Sequence, residues 1–405
     1  MKKLPLEGVR VADFTWIGAG AFTTKLLADF GAQVIKIESA ERLDALRGSR
    51  PFRDGKPGVN RSGYFADRNS SKRGITLNLK NPKGQEFARR LIARSDVVAN
   101  NFSPGVMEKF GLGYDAVRRI RPDIVYVSMS MQGAAGPDHK YLGFGLTIGA
   151  LTGLQYLSGL PECEPAGTGT NFPDHIPNPC HAAFAVLAAL FHRRRTGEGQ
   201  FIDLAQTEPM ISLLGPTILN YTVNGDLSER NGNTRLPRVP HGVYPCAGED
   251  RWIAISAWTD QAWDSLVRVL GFPNWADREL SSAEKRLARR QEIDTGIAEA
   301  TRLREADELM TALQSEGVPA GVVRSAADVI LSDPQLRHRG HWVHLNHQEM
   351  GRSLYNAPPF RMSGVDAVPR TPAPLLGEHT AEICREVFEL ADDEIASLRQ
   401  DGVLA

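Results

Sequence analysis

The sequence predicts an α/β protein whose main domain contains a mostly parallel sheet. Short apolar, β-branched runs alternate with helix-like runs through the first half of the chain, which is the pattern of βαβ units. The 405 residues exceed what one hydrophobic core usually holds, so we expect two domains. A polar stretch at 225–245, rich in Arg, Asn and Pro, is the clearest boundary between them.

The N-terminal elements follow from hydrophobic pattern and turn residues. Strands are predicted at 9–13, 34–37, 75–79, 97–99 and 124–128. Helices are predicted at 21–30, 81–94 and 115–120, the first closed by Gly31 and the second capped by Asn81. The turn at 16–21, WIGAGA, lacks the third glycine of a dinucleotide fingerprint, so we do not favour NAD binding.

An irregular stretch at 39–73 follows, and it is dense in cations. Its arginines include Arg42, Arg47, Arg50, Arg53, Arg61 and Arg68. Loops of this length inside a compact domain are usually functional or disordered. Guanidinium groups at this density suit an anionic ligand, although a solvated charged surface is an equal alternative.

The chain is organised around residues 171–181, NFPDHIPNPCH, and the apolar helix that follows. Asn178 is predicted to cap that helix, with Pro179 at its first position and Gly197 at its end. Because the helix is apolar nearly all round, we expect it to be buried. Asp174 would then precede the positive end of a buried helix, where free N–H groups favour a carboxylate. Asp174 is therefore a candidate nucleophile, although an Asp in such a loop is more often a turn or capping residue.

The second half of the chain contains a smaller unit and a long tail. Before the boundary we predict a loop with a short element at 133–153, a strand at 201–204 and a helix at 205–223. The smaller unit has predicted strands at 252–256 and 318–323, with helices at 260–270, 283–300 and 305–315. The tail has extended, proline-rich stretches at 358–362 and 372–380 and amphipathic helices at 381–389 and 392–400.

Composition excludes several classes of partner. The net charge is −1, so nothing in the composition favours nucleic acid or an anionic membrane. No run is long enough to span a membrane, and Pro5, Glu7 and Arg10 interrupt the apolar run of a signal peptide. The cysteines, at 163, 180, 246 and 384, have no metal-ligand spacing. We expect no metal site, reduced thiols and a cytoplasmic location.

A series of short motifs, spread over nearly the whole chain, has a familiar order. The motifs are GAQVIKIE at 31–38, SKRGI at 71–75, LNLK at 77–80, NFSPG at 101–105, GLGY at 111–114, RTGEGQ at 195–200, GVPAG at 317–321 and PLLGEHT at 374–380. Together they resemble the class III CoA-transferase family, which includes formyl-CoA and carnitine CoA-transferases. Each motif is weak alone, but their number and order make a chance match improbable.

The resemblance implies a fold and an assembly. It implies a Rossmann-like large domain built from both chain ends, 1–224 and 331–405, with a smaller α/β domain inserted at 225–330. It also implies a dimer whose subunits are interlocked like linked rings, either a homodimer or a heterodimer with a related subunit. The long extended tail, which has no core of its own, is consistent with this arrangement.

The resemblance also implies a reaction, in which CoA moves from an acyl-CoA to a carboxylic acid. Asp174 stands at the position of the family's nucleophile, which forms a mixed anhydride and then an aspartyl-CoA thioester. These steps are acyl exchanges, so acyl-CoA enters as a substrate and no permanently bound cofactor is expected. Water must be kept away from the anhydride.

Binding residues can be carried over position by position. The implied CoA contacts are Arg47, Leu77, Lys80, Asn101, Phe102 and Lys109, with Lys72 and Arg73 nearby, although Leu77 and Phe102 could equally be core residues. The implied substrate pocket contains Trp16, Gly18, Gly145 and Leu146, where formyl-CoA transferases carry more polar groups. A roomier, less polar pocket predicts an acceptor larger than formate, such as an aromatic acid or a substituted succinate, with succinyl-CoA as donor.

Three alternatives remain open at this point. An α-methylacyl-CoA racemase needs a His in a Gly-His-Asp run, where this chain has GFG at 143–145, although His175 could substitute. The chain could also be a CoA-binding, non-catalytic subunit of a hetero-oligomer. Finally, Cys180 beside His181 could be the nucleophile, although a structural role on a buried helix is the simpler interpretation.

Overall fold

The computed structural model describes residues 3–234, 237–275 and 280–404, and the chain divides into two units. The larger unit holds the chain up to Tyr156, the segment Gly167–Ser228 and the chain from Gln335 onwards. The smaller unit holds Leu157–Ala166 and Glu229–Pro334. Leu157–Ala166 falls within the range 1–224 predicted for the large domain, but this segment lies in the smaller unit, where the Gly232 N–H donates to the carbonyl of Gly159 at 2.9 Å.

A six-stranded parallel sheet forms the centre of the larger unit. Its strands are β1 (Arg10–Asp13), β2 (Gln33–Glu38), β3 (Arg73–Thr76), β4 (Val97–Asn100), β5 (Val125–Ser128) and β6 (Gln200–Asp203). The order β3-β2-β1-β4-β5-β6 reverses direction between β1 and β4. β3 ends at Thr76, before the predicted residue 79, because the Asn78 N–H bonds to the Val403 carbonyl at 2.9 Å instead of to the sheet.

Helices of this unit pack on both faces of the sheet, because alternate strand residues point to opposite sides. The helices before the tail are α1 (Ile17–Asp29), α2 (Gly63–Asn69), α3 (Pro82–Ala93), α4 (Val106–Lys109), α5 (Tyr114–Ile120), α6 (Gly145–Leu151), α7 (Phe172–His175), α8 (Pro177–Thr196), α9 (Thr207–Leu213) and α10 (Gly215–Asn224). Ala12 packs in one buried cluster with α3 and α5, whereas Val11 packs in another with α1 and α8.

Three predicted boundaries in this unit are wrong. The turn predicted at 16–21 is already helical, since α1 begins at Ile17. The stretch 39–73 is not wholly irregular, because it contains α2 and 3₁₀ turns at Ala45–Gly48 and Arg53–Gly55. The helix predicted at 205–223 is two helices, α9 and α10, because Pro216 lacks the N–H that would continue the hydrogen-bonded series.

The helix α8 differs from its prediction at its start and in its burial. It begins at Pro177 after Ile176, so Asn178 is inside the first turn and does not cap it. The Asn178 amide is instead buried and donates to Oε1 of Gln206 at 3.3 Å. Only one face of α8 is buried in this chain, since Phe184 is 73% exposed and Phe191 is exposed as well.

The smaller unit is a three-stranded antiparallel sheet with helices against it. Its elements are β7 (His241–Pro245), β8 (Trp252–Ser256), α11 (Asp260–Leu270), α12 (Ala283–Ala288), α13 (Arg290–Thr301), α14 (Ala306–Ser315), β9 (Ala320–Val322) and α15 (Ala326–Leu331). β7 lies inside the predicted 225–245 linker. The helix predicted at 283–300 is interrupted at Arg289, whose φ and ψ of −109° and 23° are not helical.

The tail returns to the larger unit and completes its core. It contains α16 (Pro334–Arg339), the hairpin β10 (Trp342–His347) with β11 (Gly351–Asn356), α17 (Thr380–Phe388) and α18 (Asp392–Gln400). The hairpin is not among the elements predicted from the sequence. Ile383 and Phe388 of α17 and Ile395 of α18 pack in the same cluster as the sheet residue Ile35. Both chain ends therefore contribute to one hydrophobic core.

Candidate active site

A cavity of about 280 Å³ opens at the carboxyl edge of the parallel sheet. It lies beyond β1 and β4, the adjacent strands at which the strand order reverses, and this is where open α/β sheets usually bind ligands. Its apolar lining includes Trp16, Ile17, Phe102, Met131, Tyr141 and Phe144. The polar residues Asp174, Asn101 and Gln206 also line the cavity.

The loops after β1 and β4 are joined by one amide side chain. Oδ1 of Asn101 accepts from the Trp16 N–H at 2.8 Å, and its Nδ2 donates to the Trp16 carbonyl at 2.7 Å. The ring of Phe102 packs edge to face on Trp16 with centroids 5.5 Å apart. Asn101 therefore holds the cavity wall in place, because both hydrogen bonds of its side-chain amide are made to the backbone of Trp16.

The backbone at the start of α1 is strained where it enters the cavity. Ile17 has φ of 59°, in the left-handed region that a β-branched residue rarely adopts. Asp44 stabilises this conformation, because its Oδ1 accepts from the Ile17 N–H at 3.1 Å while its Oδ2 accepts from Lys36 at 3.0 Å. The strain brings Trp16 and Gly18 to the cavity together.

Asp174 is buried, with 4% of its surface exposed, and it lies on the short helix α7. Burial raises the pKa of Asp174 from 3.8 to about 6, against the opposing effects of a hydrogen bond from Gly145 and the charge of Arg68. The Gly145 N–H, in the first turn of α6, donates to Oδ2 of Asp174 at 3.2 Å. The carboxylate is thus bonded at the start of α6, and not at the start of the following helix α8, which the sequence predicts.

Two glycines leave the space that Asp174 occupies. A Cβ atom on Gly18 would lie 2.9 Å from Cβ of Asp174, closer than such atoms approach. A Cβ atom on Gly145 would lie 2.9 Å from Oδ2 of Asp174 and 2.8 Å from Cβ of Asn171. Any larger residue at either position would displace the carboxyl group.

The residue after Asp174 is held by an arginine from α2. The Arg68 guanidinium donates to Nδ1 of His175 and pairs with Asp67 at 2.7 Å. It also lies over the ring of Phe22, 4.4 Å from the centroid. Burial, together with the neighbouring charge of Arg68, lowers the pKa of His175 to about 4.

A second cavity of about 190 Å³ adjoins the first and shares Trp16 and Phe102 with it. Of the predicted CoA contacts, Leu77, Lys80 and Phe102 line this second cavity. Lys80 is well exposed and lies 3.5 Å from Glu41, whereas Leu77 also belongs to the hydrophobic core.

Arg47 and Lys72 do not line either cavity, because their charged groups are engaged inside the unit. The guanidinium of Arg47 bonds Glu38 at 2.7 and 2.8 Å and lies 3.7 Å from the ring centroid of Phe65. Nζ of Lys72 has four partners, among them Asp13 at 3.1 Å and Thr24 at 2.7 Å. Burial lowers the pKa of Lys72 to about 8, against the opposing charge of Asp13.

Three further residues predicted for the CoA site or the substrate pocket do not line either cavity. Arg73 pairs with Glu382 at 2.8 Å and Glu386 at 2.7 Å, and so joins β3 to α17. Lys109 is exposed on α4, whose neighbouring residues Val106 and Phe110 line the second cavity. Leu146 is exposed on α6, one residue after Gly145.

Sequence reasoning missed several residues that the structure brings to the site. Arg42 lines the second cavity and lies over the Trp16 ring, 5.4 Å from its centroid. Gln206 lines the main cavity and donates to the Met129 carbonyl at 2.7 Å. The density of arginine in 39–73 was a signal for Arg42 and Arg68, but it could not select them from the other arginines.

The structure also places the residues of two alternatives, Cys180 as the nucleophile and the GFG run where a racemase has its His. Cys180 is exposed on the first turns of α8 and is not among the residues that line the Asp174 cavity. His181 beside it bonds the Pro177 carbonyl through Nδ1 at 2.7 Å. The GFG run at 143–145 passes the cavity, where Gly143 and Phe144 form part of the wall.

Two absences can be stated for residues 3–234, 237–275 and 280–404. In these ranges no group of three or more His, Cys, Asp or Glu side chains is arranged to hold a metal ion. Over the same ranges, every helix is too short or too polar to cross a bilayer.

Comparison with known proteins gives consistent relatives. A probable CoA-transferase of Mycobacterium tuberculosis is 34% identical over 99% of this chain, which spans 50% of that longer protein. Succinyl-CoA–D-citramalate CoA-transferase of Chloroflexus aurantiacus is 32% identical, covering 99% of this chain and 98% of the relative. The beta subunit of succinyl-CoA–L-malate CoA-transferase of the same organism is 31% identical, with coverage of 99% and 98%.

A solved structure and a family model agree with these relatives. The crystal structure of a CaiB/BaiF family protein from Brucella suis superposes with a TM-score of 0.87, at 31% identity, covering 95% of this chain and all of that one. The model of CoA-transferase family III matches residues 6–380. The resemblance inferred from the motifs is confirmed: the chain belongs to CoA-transferase family III and is a CoA-transferase.

Proposed function

We propose that Asp174 is the nucleophile that carries the acyl group and then CoA between donor and acceptor. The observation that carries this proposal is a carboxyl group 4% exposed, on the wall of a cavity at the strand reversal, with a pKa of about 6. Such a group is ionised at neutral pH and more basic than an exposed Asp, and both properties suit a nucleophile.

The proposed reaction has balanced acyl-exchange steps. An oxygen of Asp174 attacks the donor thioester, the C–S bond breaks, and CoA thiolate leaves a mixed anhydride behind. The thiolate attacks the Asp174 carbonyl, releases the donor acid and forms an aspartyl-CoA thioester. The acceptor carboxylate attacks this thioester and releases the thiolate again. The thiolate then attacks the acceptor carbonyl, and Asp174 is regenerated without any net transfer of protons or electrons.

The surroundings of Asp174 support these steps. Apolar rings of Trp16, Phe102 and Phe144 line the cavity and limit the water that could hydrolyse an anhydride. The Gly145 N–H, 3.2 Å from Oδ2, is fixed by α6 and can stabilise negative charge on that oxygen when the Asp174 carbonyl is attacked.

We propose that the second cavity holds part of CoA. Arg42 and Lys80 would contact its phosphates, with Lys109 nearby, and Phe102 would pack against its apolar parts. The wall shared by the two cavities allows one ligand to reach Asp174 from this site. For Arg47, Lys72, Arg73 and Asn101 we propose that their contribution is to hold the surrounding loops and strands. Leu77 would contribute to the floor of the second cavity.

We propose succinyl-CoA as the donor and a substituted succinate as the acceptor. Two relatives are named for succinyl-CoA, with D-citramalate and L-malate as the second substrates, and both of these acids are succinates with substituents. A cavity of about 280 Å³ with Trp16, Ile17 and Met131 in its wall has room for an alkyl or aryl substituent. The aromatic-acid alternative is tested in the same acceptor panel.

We propose that two chains associate, as an interlocked homodimer or with a related subunit. The support is a set of large apolar side chains exposed on α8, α9 and α10, more than isolated exposure usually leaves on a monomeric protein. Its members are Phe184, Leu187, Phe191, Ile211, Leu213, Ile218, Leu219, Tyr221 and Val223. One relative is named as a beta subunit, so a heterodimer is a specific alternative. Light scattering of the purified chain would distinguish a monomer from a dimer.

The test of the nucleophile is covalent trapping. Wild-type protein is incubated with succinyl-CoA and hydroxylamine, which converts an activated carboxyl group to a hydroxamate, and its peptides are analysed by mass spectrometry. We expect the hydroxamate on the peptide with Asp174, no transfer by Asp174→Ala, and full transfer by Asp138→Asn, an exposed control. A covalent adduct on Cys180, or CoA transfer by Asp174→Ala, would contradict the proposal.

The same protein tests the alternatives. Acceptors from formate and oxalate to citramalate, benzylsuccinate and phenylacetate are compared by kcat/KM with succinyl-CoA. We expect the substituted succinates to be preferred. Deuterium uptake at the α-carbon of an acyl-CoA, without an acceptor acid, would favour racemase chemistry. CoA binding without transfer to any acceptor, even with Asp174 intact, would favour a non-catalytic subunit.

A further inference from the structure

The Arg68 guanidinium contacts the residue that follows Asp174, and no direct hydrogen bond or ion pair joins it to Asp174 among the contacts of the described residues. It donates to Nδ1 of His175, pairs with Asp67 at 2.7 Å, and lies over Phe22 at 4.4 Å and Tyr64 at 5.7 Å. Its surface is 8% exposed, and its Nε is buried without a hydrogen-bond partner. A buried cation next to the nucleophile, which the transfer steps do not use, requires an explanation.

The contact with His175 defines the state of that ring. A guanidinium group has only donors, so Nδ1 of His175 must be the acceptor and its proton must be on Nε2. The imidazole is then neutral and cannot compete with Asp174 for the charge of Arg68. If Nδ1 of His175 were removed, the N–H of Arg68 that it accepts from would lose its partner. The nearest carboxylate along the chain from that position is Asp174, the residue before His175.

We propose that Arg68 is a positioning residue for Asp174: its charge keeps the buried carboxylate ionised, while its bond to His175 prevents a direct ion pair with that carboxylate. The inference rests on the proposed role of Asp174 as nucleophile. A direct ion pair would stabilise the carboxylate before attack, and this stabilisation would be lost in the neutral anhydride. A cation that does not bond the carboxylate directly still favours ionisation of Asp174. It stabilises the carboxylate less than an ion pair would, so the barrier to attack on the thioester rises less.

Of five elements around Asp174, four carry charged or titratable groups. α2 contributes Tyr64, Asp67 and Arg68, and α7 contributes His175. α6 has no titratable side chain, and the two in α1, Lys25 and Asp29, pair with each other at 2.5 Å. The nearest titratable groups on α8 are Cys180 and His181. The charge of Arg68 lowers the pKa of Asp174, which burial raises.

The proposal is tested by titrating Asp174 directly. Infrared difference spectra are recorded against Asp174→Asn, so that the carboxylic-acid band of Asp174 is followed with pH, without substrate. We expect Arg68→Gln to move this titration up by about one pH unit. In turnover, kcat/KM of Arg68→Gln should fall about fivefold at pH 6 and little at pH 8, because only the ionised fraction changes.

Two further variants separate charge from position. Arg68→Lys keeps the charge and should titrate like wild type. His175→Phe removes the acceptor, so we expect the opposite shift, with Asp174 titrating at lower pH and a lower kcat at high pH. His175→Asn retains an acceptor oxygen and should resemble wild type. Arg53→Gln, in an exposed turn, controls for loss of an arginine.

The outcomes are decisive for the variants that give the wild-type near-ultraviolet circular dichroism spectrum. An unshifted Asp174 band in Arg68→Gln would overturn the proposal, and so would a shift in Arg68→Lys as large as in Arg68→Gln. If Arg68→Gln does not fold, the direction of the shift in His175→Phe decides, and an unchanged band there refutes the inference. The infrared readout does not depend on turnover, so failure of the trapping experiment is distinguishable from failure of this one.

Discussion

Replacing Asp174 by Asn should stabilise the folded chain while it abolishes transfer. The carboxyl group is 4% exposed and has a pKa raised from 3.8 to about 6, so the fold disfavours its charged form. Asn has nearly the same shape, and its Oδ1 can still accept from the Gly145 N–H. The variant therefore removes a buried charge and keeps the packing.

The size and sign of this effect follow from proton linkage. A group whose pKa is higher in the folded state makes folding less favourable as pH rises, and the full penalty is present above the folded-state pKa. Each pKa unit corresponds to about 1.4 kcal/mol. Wild type should thus be less stable than Asp174→Asn by about 3 kcal/mol at pH 7.5, falling to about 1 kcal/mol at pH 4.5.

The assay is scanning calorimetry at both pH values, with hydrogen exchange of α1 and α8 to assign the transition to the larger unit. A two-unit chain need not unfold in one step, so this assignment is required. Asp138→Asn, at an exposed position, should leave the transition unchanged. If Asp174→Asn is less stable than wild type, or if its gain does not depend on pH, the buried-charge interpretation is refuted.

Three further predictions concern the cavity walls and the exposed face. Gly145→Ala should lower kcat by about 100-fold with little change in the KM for succinyl-CoA, because the new methyl group meets Oδ2 of Asp174 at 2.9 Å; an unchanged kcat would contradict the geometry. Arg42→Gln should raise the KM for succinyl-CoA about tenfold and leave kcat unchanged, whereas Arg53→Gln should change neither; equal effects would exclude a specific phosphate contact. Phe184→Glu should shift light scattering towards a monomer, and a dimer as stable as wild type would remove this face from the interface.

The residues that we propose for the main site carry local sequence signals. Asp174 follows from a proline-rich segment before an apolar helix, and Asn101 and Phe102 follow directly after a predicted strand. Residues at strand ends converge because parallel strands present their carboxyl ends at one edge. Long-range partners leave no such signal, and Arg68 reaches His175 across 107 positions of the chain.

The charged residues were the weakest part of the sequence interpretation. Arg47 and Lys72 are residue types that often bind phosphate. In the fold, however, Arg47 pairs with the buried carboxylate of Glu38 and Lys72 pairs with that of Asp13. Arg42, from the same cation-rich stretch, reaches the second cavity. A sequence motif shows only that a cationic side chain is present. The burial of that side chain and its ion pairs in the fold decide whether its charge is available to a ligand.

The sequence by itself determined the alternating strands and helices, the family and the placing of Asp174 before an apolar helix, because these depend on periodicity, turn residues and motif order along the chain. Only the tertiary structure decided the ionisation of that carboxyl group, its hydrogen bond to Gly145, the exposed face of α8 and which cations remain open. The reason is physical. Local pattern depends on neighbours in the chain, whereas desolvation and charge pairing depend on neighbours in space, and some of these come from segments more than a hundred residues apart.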